Sequence, residues 1–124
     1  MRVGETVEAA RAALEAAVAE ADDGRGPPVA IRWDGGQFEP GETPADSPFV
    51  ELVRRAGAAE LGRAPRVAGV PYGADMRLFA RRGIPCVMFG THGLELAHAA
   101  DERVRIEDVA QLARTLVRVI LRFG

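Results

Sequence analysis

The feature that most constrains this chain is the alternation, in its second half, of short continuous apolar runs with helical patterns. Residues 67–70 and 84–89 are apolar almost throughout, residues 75–82 lie between them, and a long pattern over 106–123 follows. In that last pattern Val109, Leu112, Ala113, Leu116, Ile120 and Phe123 recur on one broad face. Continuous apolar strands separated by helices are characteristic of sheets buried on both sides, so the order predicts an α/β fold with a mostly parallel, helix-covered sheet. Two strands cannot make such a sheet, and an isolated two-stranded unit is marginal in water. The helical faces therefore require further strands from a missing segment, or a partner chain, to bury them.

The first half is organised differently. Val7, Ala10, Leu14, Val18 and Ala21 recur at helical spacing and Gly24 stops the run, which predicts an amphipathic helix over 7–21. After GRGPP, Val29, Ile31 and Trp33 alternate with Ala30, Arg32 and Asp34, the period of a half-buried strand, ended by Gly35 and Gly36. Residues 35–48 are rich in Gly, Pro and acidic side chains without any period, and read as a linker or domain boundary. Ser47 followed by Pro48 forms a cap and first-turn pair for a second helix running to Leu61, with Gly62 as its stop.

At 124 residues and 48% apolar content the chain is one compact domain or a fragment, short for a two-lobed enzyme. Its 16 basic residues, all arginine, and 18 acidic ones are spread along the chain to a net charge of −2, leaving no basic footprint for nucleic acid or anionic lipid. Small polar substrates or protein partners remain. The single cysteine, Cys86, sits in the apolar run IPCVMF, cannot form an internal disulfide and fits a reducing, cytoplasmic setting. No signal-like stretch and no apolar segment of about 20 residues is present, so a soluble protein away from membranes is expected.

Two stretches could carry chemistry. FGTHGLELAHAADERV places His92 and His98 in a polar loop after an apolar run, where open α/β sheets form their ligand crevices. Neutral imidazole suits zinc, and Asp101 or Glu102 could accept the ring N–H that faces away from a metal. Two histidines are weak evidence by themselves, and both also read as ordinary loop residues. GVPYGADMRLFARRGIP has a glycine-bearing turn before a helix, so Gly73 permits close ligand approach, while Asp75 reads equally as a helix cap. No phosphate-loop or dinucleotide fingerprint occurs, which disfavours nucleotide binding.

Taken in order, RVGETVEAARAAL, ETPADSPFVELV, PYGADMRLFARRGIPCVMFG and AHAADERVRIEDV resemble the C-terminal part of a zinc-dependent metallopeptidase and amidohydrolase family. That family includes acetylornithine deacetylase, succinyl-diaminopimelate desuccinylase, aminoacylase and glutamate carboxypeptidase. The resemblance implies that residues 1–38 end an inserted α+β dimerisation lobe, contributing one helix and one strand, and that residues 39–124 form the C-terminal part of the metal-dependent catalytic lobe. It implies His98 as a metal ligand, with zinc or cobalt as the ion. Arg2, Gly73 and Ala74 fall at substrate-binding positions, and Asp75, Asp101 and Glu102 at positions supporting the site.

By the same resemblance the reaction is hydrolysis of an N-acyl amino acid or small peptide. The family's remaining metal ligands and its general-base glutamate lie upstream of this chain, so no catalytic residue is expected within it, and the missing N-terminal half or a homo-oligomer is the expected partner. The sequence departs from the family at Gly90, Thr91, His92 and Gly93, where Gly-Pro-Gly is usual, so no role for His92 is implied. Two alternatives stay open: a non-catalytic remnant or interaction module without activity of its own, and a self-contained zinc site built from His92, His98 and a carboxylate.

Overall fold

The computed structural model describes residues 1–36 and 38–123, leaving Gln37, inside the expected linker, and Gly124 outside the described residues. It contains four α-helices, α1 (Val7–Ala21), α2 (Pro48–Leu61), α3 (Met76–Ala80) and α4 (Ile106–Ile120), with a short 3₁₀ turn at Leu94–Leu96 before α4.

The helices start and stop where side-chain chemistry dictates. Thr6 caps α1, its hydroxyl accepting from the Ala9 N–H at 3.1 Å. At α2 the expected start at Pro48 holds, but Ser47 makes no side-chain cap bond; Pro48 itself, which has no N–H to satisfy, supplies the start. Gly62 ends α2 in the left-handed conformation at φ 69°, open to glycine at little cost. Asp75 precedes α3 without capping it, because its carboxylate is taken by Arg77 Nη1 at 3.1 Å. The expected helix over 75–82 shortens to Met76–Ala80 and the one over 106–123 ends at Ile120.

The sheet expected from the sequence is not formed: among the described residues there is no β-strand, and the architecture is helices joined by irregular segments. A strand exists only by exchanging N–H and C=O groups with a neighbouring edge about 4.8 Å away, and here no such edge meets residues 29–34, 67–70 or 84–89. Other partners take those groups. At Cys86 the backbone N–H donates to the Thr43 hydroxyl at 2.9 Å, and that hydroxyl donates to the Cys86 carbonyl at 2.6 Å. In the first extended segment the alternation survives without a ladder, with Ile31 and Trp33 half-buried between exposed neighbours. Trp33 lies against α1, 5.1 Å from the Arg11 guanidinium, and its indole N–H donates to Glu15 at 3.2 Å.

The core is the contact between α2 and α4. Val50, Val53, Ala56 and Gly57 of α2 are buried, and Asp108 and Thr115 are the buried residues of α4. Gly57 is where the chain closes over α2, since a Cβ there would lie 2.8 Å from Pro65 Cγ and 3.2 Å from Phe89 Cζ. Across the end of the pair, Glu60 accepts from Arg114 at 2.6 Å and from Arg118, and these bonds hold its carboxyl below the ordinary range. Phe49 and Phe123 meet edge to face with centroids 5.8 Å apart.

The inward row of α4 is thus not the apolar row that the periodicity selects. Ile120 is 71% exposed and Phe123 67%, and no strand among the described residues lies against that face. No helix among the described residues is long and apolar enough to cross a membrane.

Candidate functional site

The loop between residue 90 and α4 positions both histidines. Gly93 turns it at φ 87°, the 3₁₀ turn Leu94–Leu96 follows, and His98 then sits at φ 66°, the sole non-glycine residue with positive φ among those described. A left-handed histidine costs on the order of 1 kcal/mol, and such strain concentrates at functional positions. Glu102 secures the turn: its carboxylate accepts the His98 backbone N–H at 3.2 Å, and its own N–H donates to the Ala99 carbonyl at 3.1 Å. The imidazole is exposed. Glu102 therefore supports the backbone of His98, while Asp101 turns to Arg103, with 2.5 Å between its carboxylate and Nη1.

His92 takes a different partner, its Nδ1 lying 3.3 Å from Oδ2 of Asp108. Asp108 is 8% exposed, in the first turn of α4, and borders a cavity of about 200 Å³ with Arg63, Arg66, Phe89 and His92. Sequence reasoning missed this pair. The one signal was the charged residue at the start of α4 in step with Thr115 at helical spacing, and a partner 16 residues away has no local signature. No three His, Cys, Asp or Glu side chains among the described residues come together to hold a metal, so His92, His98 and a carboxylate do not assemble a site of their own. A metal centre of three or four ligands does not fit these residues alone.

The substrate-side candidates lie elsewhere. Gly73 and Ala74 line a groove of about 780 Å³ together with Met1, Val3, Phe38 and Tyr72. The groove thus brings the residues flanking Arg2 to the 73–74 loop, whereas His98 is not among its walls. Arg2 is exposed, and its backbone N–H is tied to the Glu5 carboxylate at 2.8 Å. Ala74 accepts the Arg77 N–H at 3.5 Å and the Asp75 carbonyl accepts that of Leu78 at 2.9 Å, so the loop leads directly into α3.

The sequence motifs, taken in order, find their counterpart in one family. The sequence model of peptidase family M20/M25/M40 matches residues 3–122, and the chain belongs to that family, whose members are generally metal-dependent. Among curated relatives, a succinyl-diaminopimelate desuccinylase of Methylorubrum populi is 35% identical over 69% of this chain and 23% of its own length. A second protein of that name, from a Methylobacterium species, is 36% identical over 58% of this chain and 18% of its own. The uncharacterized protein YqjE of Bacillus subtilis is 27% identical over 92% of this chain and 29% of its own. The chain thus spans about a quarter of the length of these relatives. No solved structure gives a significant match.

Proposed function

We propose that this chain carries the C-terminal part of a metal-dependent amidohydrolase that cleaves N-acyl amino acids or small peptides, an N-succinyl amino acid being the first substrate to try given the names of two relatives. In this reading residues 1–38 close a dimerisation lobe and residues 39–124 belong to the catalytic lobe. His98 supplies one ligand to zinc or cobalt, held ready by the Glu102 carboxylate on its backbone. Arg2 offers a two-pronged donor to a substrate carboxylate, and Gly73 and Ala74 border the substrate, with Asp75 and Asp101 alongside. A cytoplasmic setting fits the lone Cys86.

The observation that carries the reading is the left-handed His98 within a chain matched to the family from residue 3 to 122. Zinc affinity and N-succinyl amino acid hydrolysis should be measured with this chain joined to the upstream part of its gene, with and without His98→Ala. Loss of most turnover together with one bound metal is expected; unchanged turnover and metal content removes His98 from the site.

The second reading, an interaction module without activity, is favoured by the uncovered apolar face of α4, where Leu116 and Ile120 are 47% and 71% exposed. It requires that the assembled protein bind a partner while neither zinc nor amide substrate engages it.

A further inference from the structure

Residues 38–43 are laid along residues 73–86 and fastened at every second position or closer. A Cβ on Gly73 would lie 2.8 Å from Cγ and Cδ1 of the Phe38 ring. The Arg77 guanidinium stands 4.6 Å from the centre of the same ring, and Glu39 pairs with Arg81 at 2.6 Å. A Cβ on Gly41 would lie 2.6 Å from Arg77 Cα, and the Thr43 hydroxyl holds both backbone groups of Cys86. The two glycines stand where the segments approach too closely for any side chain. At the centre is Arg77, whose side chain is only 19% exposed and whose Nη1 also holds the Asp75 carboxylate at 3.1 Å.

One aromatic ring thus touches, directly or through Arg77, all of the 73–75 loop, and it stands at the boundary between the two lobes proposed above. Immediately before it the backbone turns at Gly35, φ 79°, and neither Gly35 nor Gly36 would bring an added Cβ within 4 Å of anything. A side chain at 35 or 36 would thus meet open space, whereas the chain is packed against the 73–86 segment from Phe38 onward.

We propose that Phe38 and Arg77 are positioning residues: the 38–43 strap sets the conformation of the 73–75 loop through the Phe38 ring and the Arg77 side chain packed on it. The loop's contact with substrate rests on the function proposed above; the strap does not. An arginine packed on a ring and bonded to a carboxylate adds a side-chain tie to a loop whose own backbone bonds are the two that lead into α3.

The test is amide hydrogen exchange across residues 70–80 of the 124-residue chain, in the wild type and in Phe38→Ala, Phe38→Tyr and Arg77→Gln. Phe38→Ala is expected to speed exchange at Arg77 and Leu78 about tenfold, Phe38→Tyr to restore it to within about twofold, and α2 and α4 to stay unchanged. Wild-type rates in Phe38→Ala, or equal acceleration in Phe38→Tyr, overturn the proposal. Should Phe38→Ala loosen the whole chain, Arg77→Gln decides: acceleration confined to residues 73–78 supports the strap, and none overturns it. Zinc binding in the protein joined to its upstream part reports separately on the substrate reading, so a strap intact in a protein that binds no metal refutes that reading alone.

Discussion

Adding one methyl group at Gly57 opposes two effects of similar size. Glycine in a helix interior costs about 1 kcal/mol relative to alanine, so Gly57→Ala gains that much from backbone propensity. The new Cβ, however, would sit 2.8 Å from Pro65 Cγ and within 3.3 Å of two Phe89 ring atoms. Neither a proline ring nor a phenyl edge yields like the end of a flexible side chain, so the segment over α2 must lift, and overpacking of this kind costs about 1–3 kcal/mol. Overpacking wins, and a net loss of about 1 kcal/mol is expected, a fall in Tm of about 3–5 °C for a chain of this size. The assay is thermal and urea unfolding followed by helical circular dichroism. A Gly57→Ala protein more stable than wild type by the full propensity gain would show that Pro65 and Phe89 are not seated on α2, and with them the core as described would fall.

Three further outcomes follow from named contacts. Thr43→Val should cost about 1–3 kcal/mol by stripping both backbone groups of Cys86 of their partner, with Thr43→Ser retaining most stability; equal urea midpoints for Val and Ser variants would remove that bridge. The Glu51 carboxyl, bonded by Arg54 and Arg55, is lowered from 4.5 to about 2. A depressed carboxyl stabilises above its unfolded pKa and loses that stabilisation as pH falls through the folded value, so the contribution should fade between about pH 4.5 and 2 and be missing in Glu51→Gln, as unfolding midpoints across that window will report. Ile120→Glu, at a 71% exposed position, should change the chain's own stability by no more than about 0.5 kcal/mol yet weaken association with the N-terminal part that the proposed function calls for, read by co-purification; a large loss of helix would mean the position is covered.

The helices were legible and the sheet was not, for one physical reason. Val7 to Ala21 and Pro48 to Leu61 announce themselves because a helix satisfies its backbone four residues away, inside the stretch being read, and Gly62 marks the end by its own conformational freedom. Residues 67–70 and 84–89 carry strand composition, but a strand is completed by an edge that composition does not supply, and here a threonine hydroxyl takes one such place. The same division runs through the site. His98 and the 73–75 loop stand as candidates because contiguous motifs point to them, whereas Asp108 beneath His92 and Arg77 over Phe38 join residues 16 and 39 positions apart that share no period. Capping was misread where a competing partner intervened, as Arg77 does for Asp75.

The bridge between Thr43 and Cys86 also bears on solubility. One hydroxyl can reach both backbone groups only if they point the same way, as in extended backbone, so that side of IPCVMF is plugged at its middle. Ile84 has given its N–H to the Phe79 carbonyl at 3.1 Å, and Pro85, facing the other side, has none to give. This apolar run is therefore blunted at Ile84, Pro85 and Cys86 without a single charge, and a mutation at Thr43 would free an edge there as well as loosen a contact.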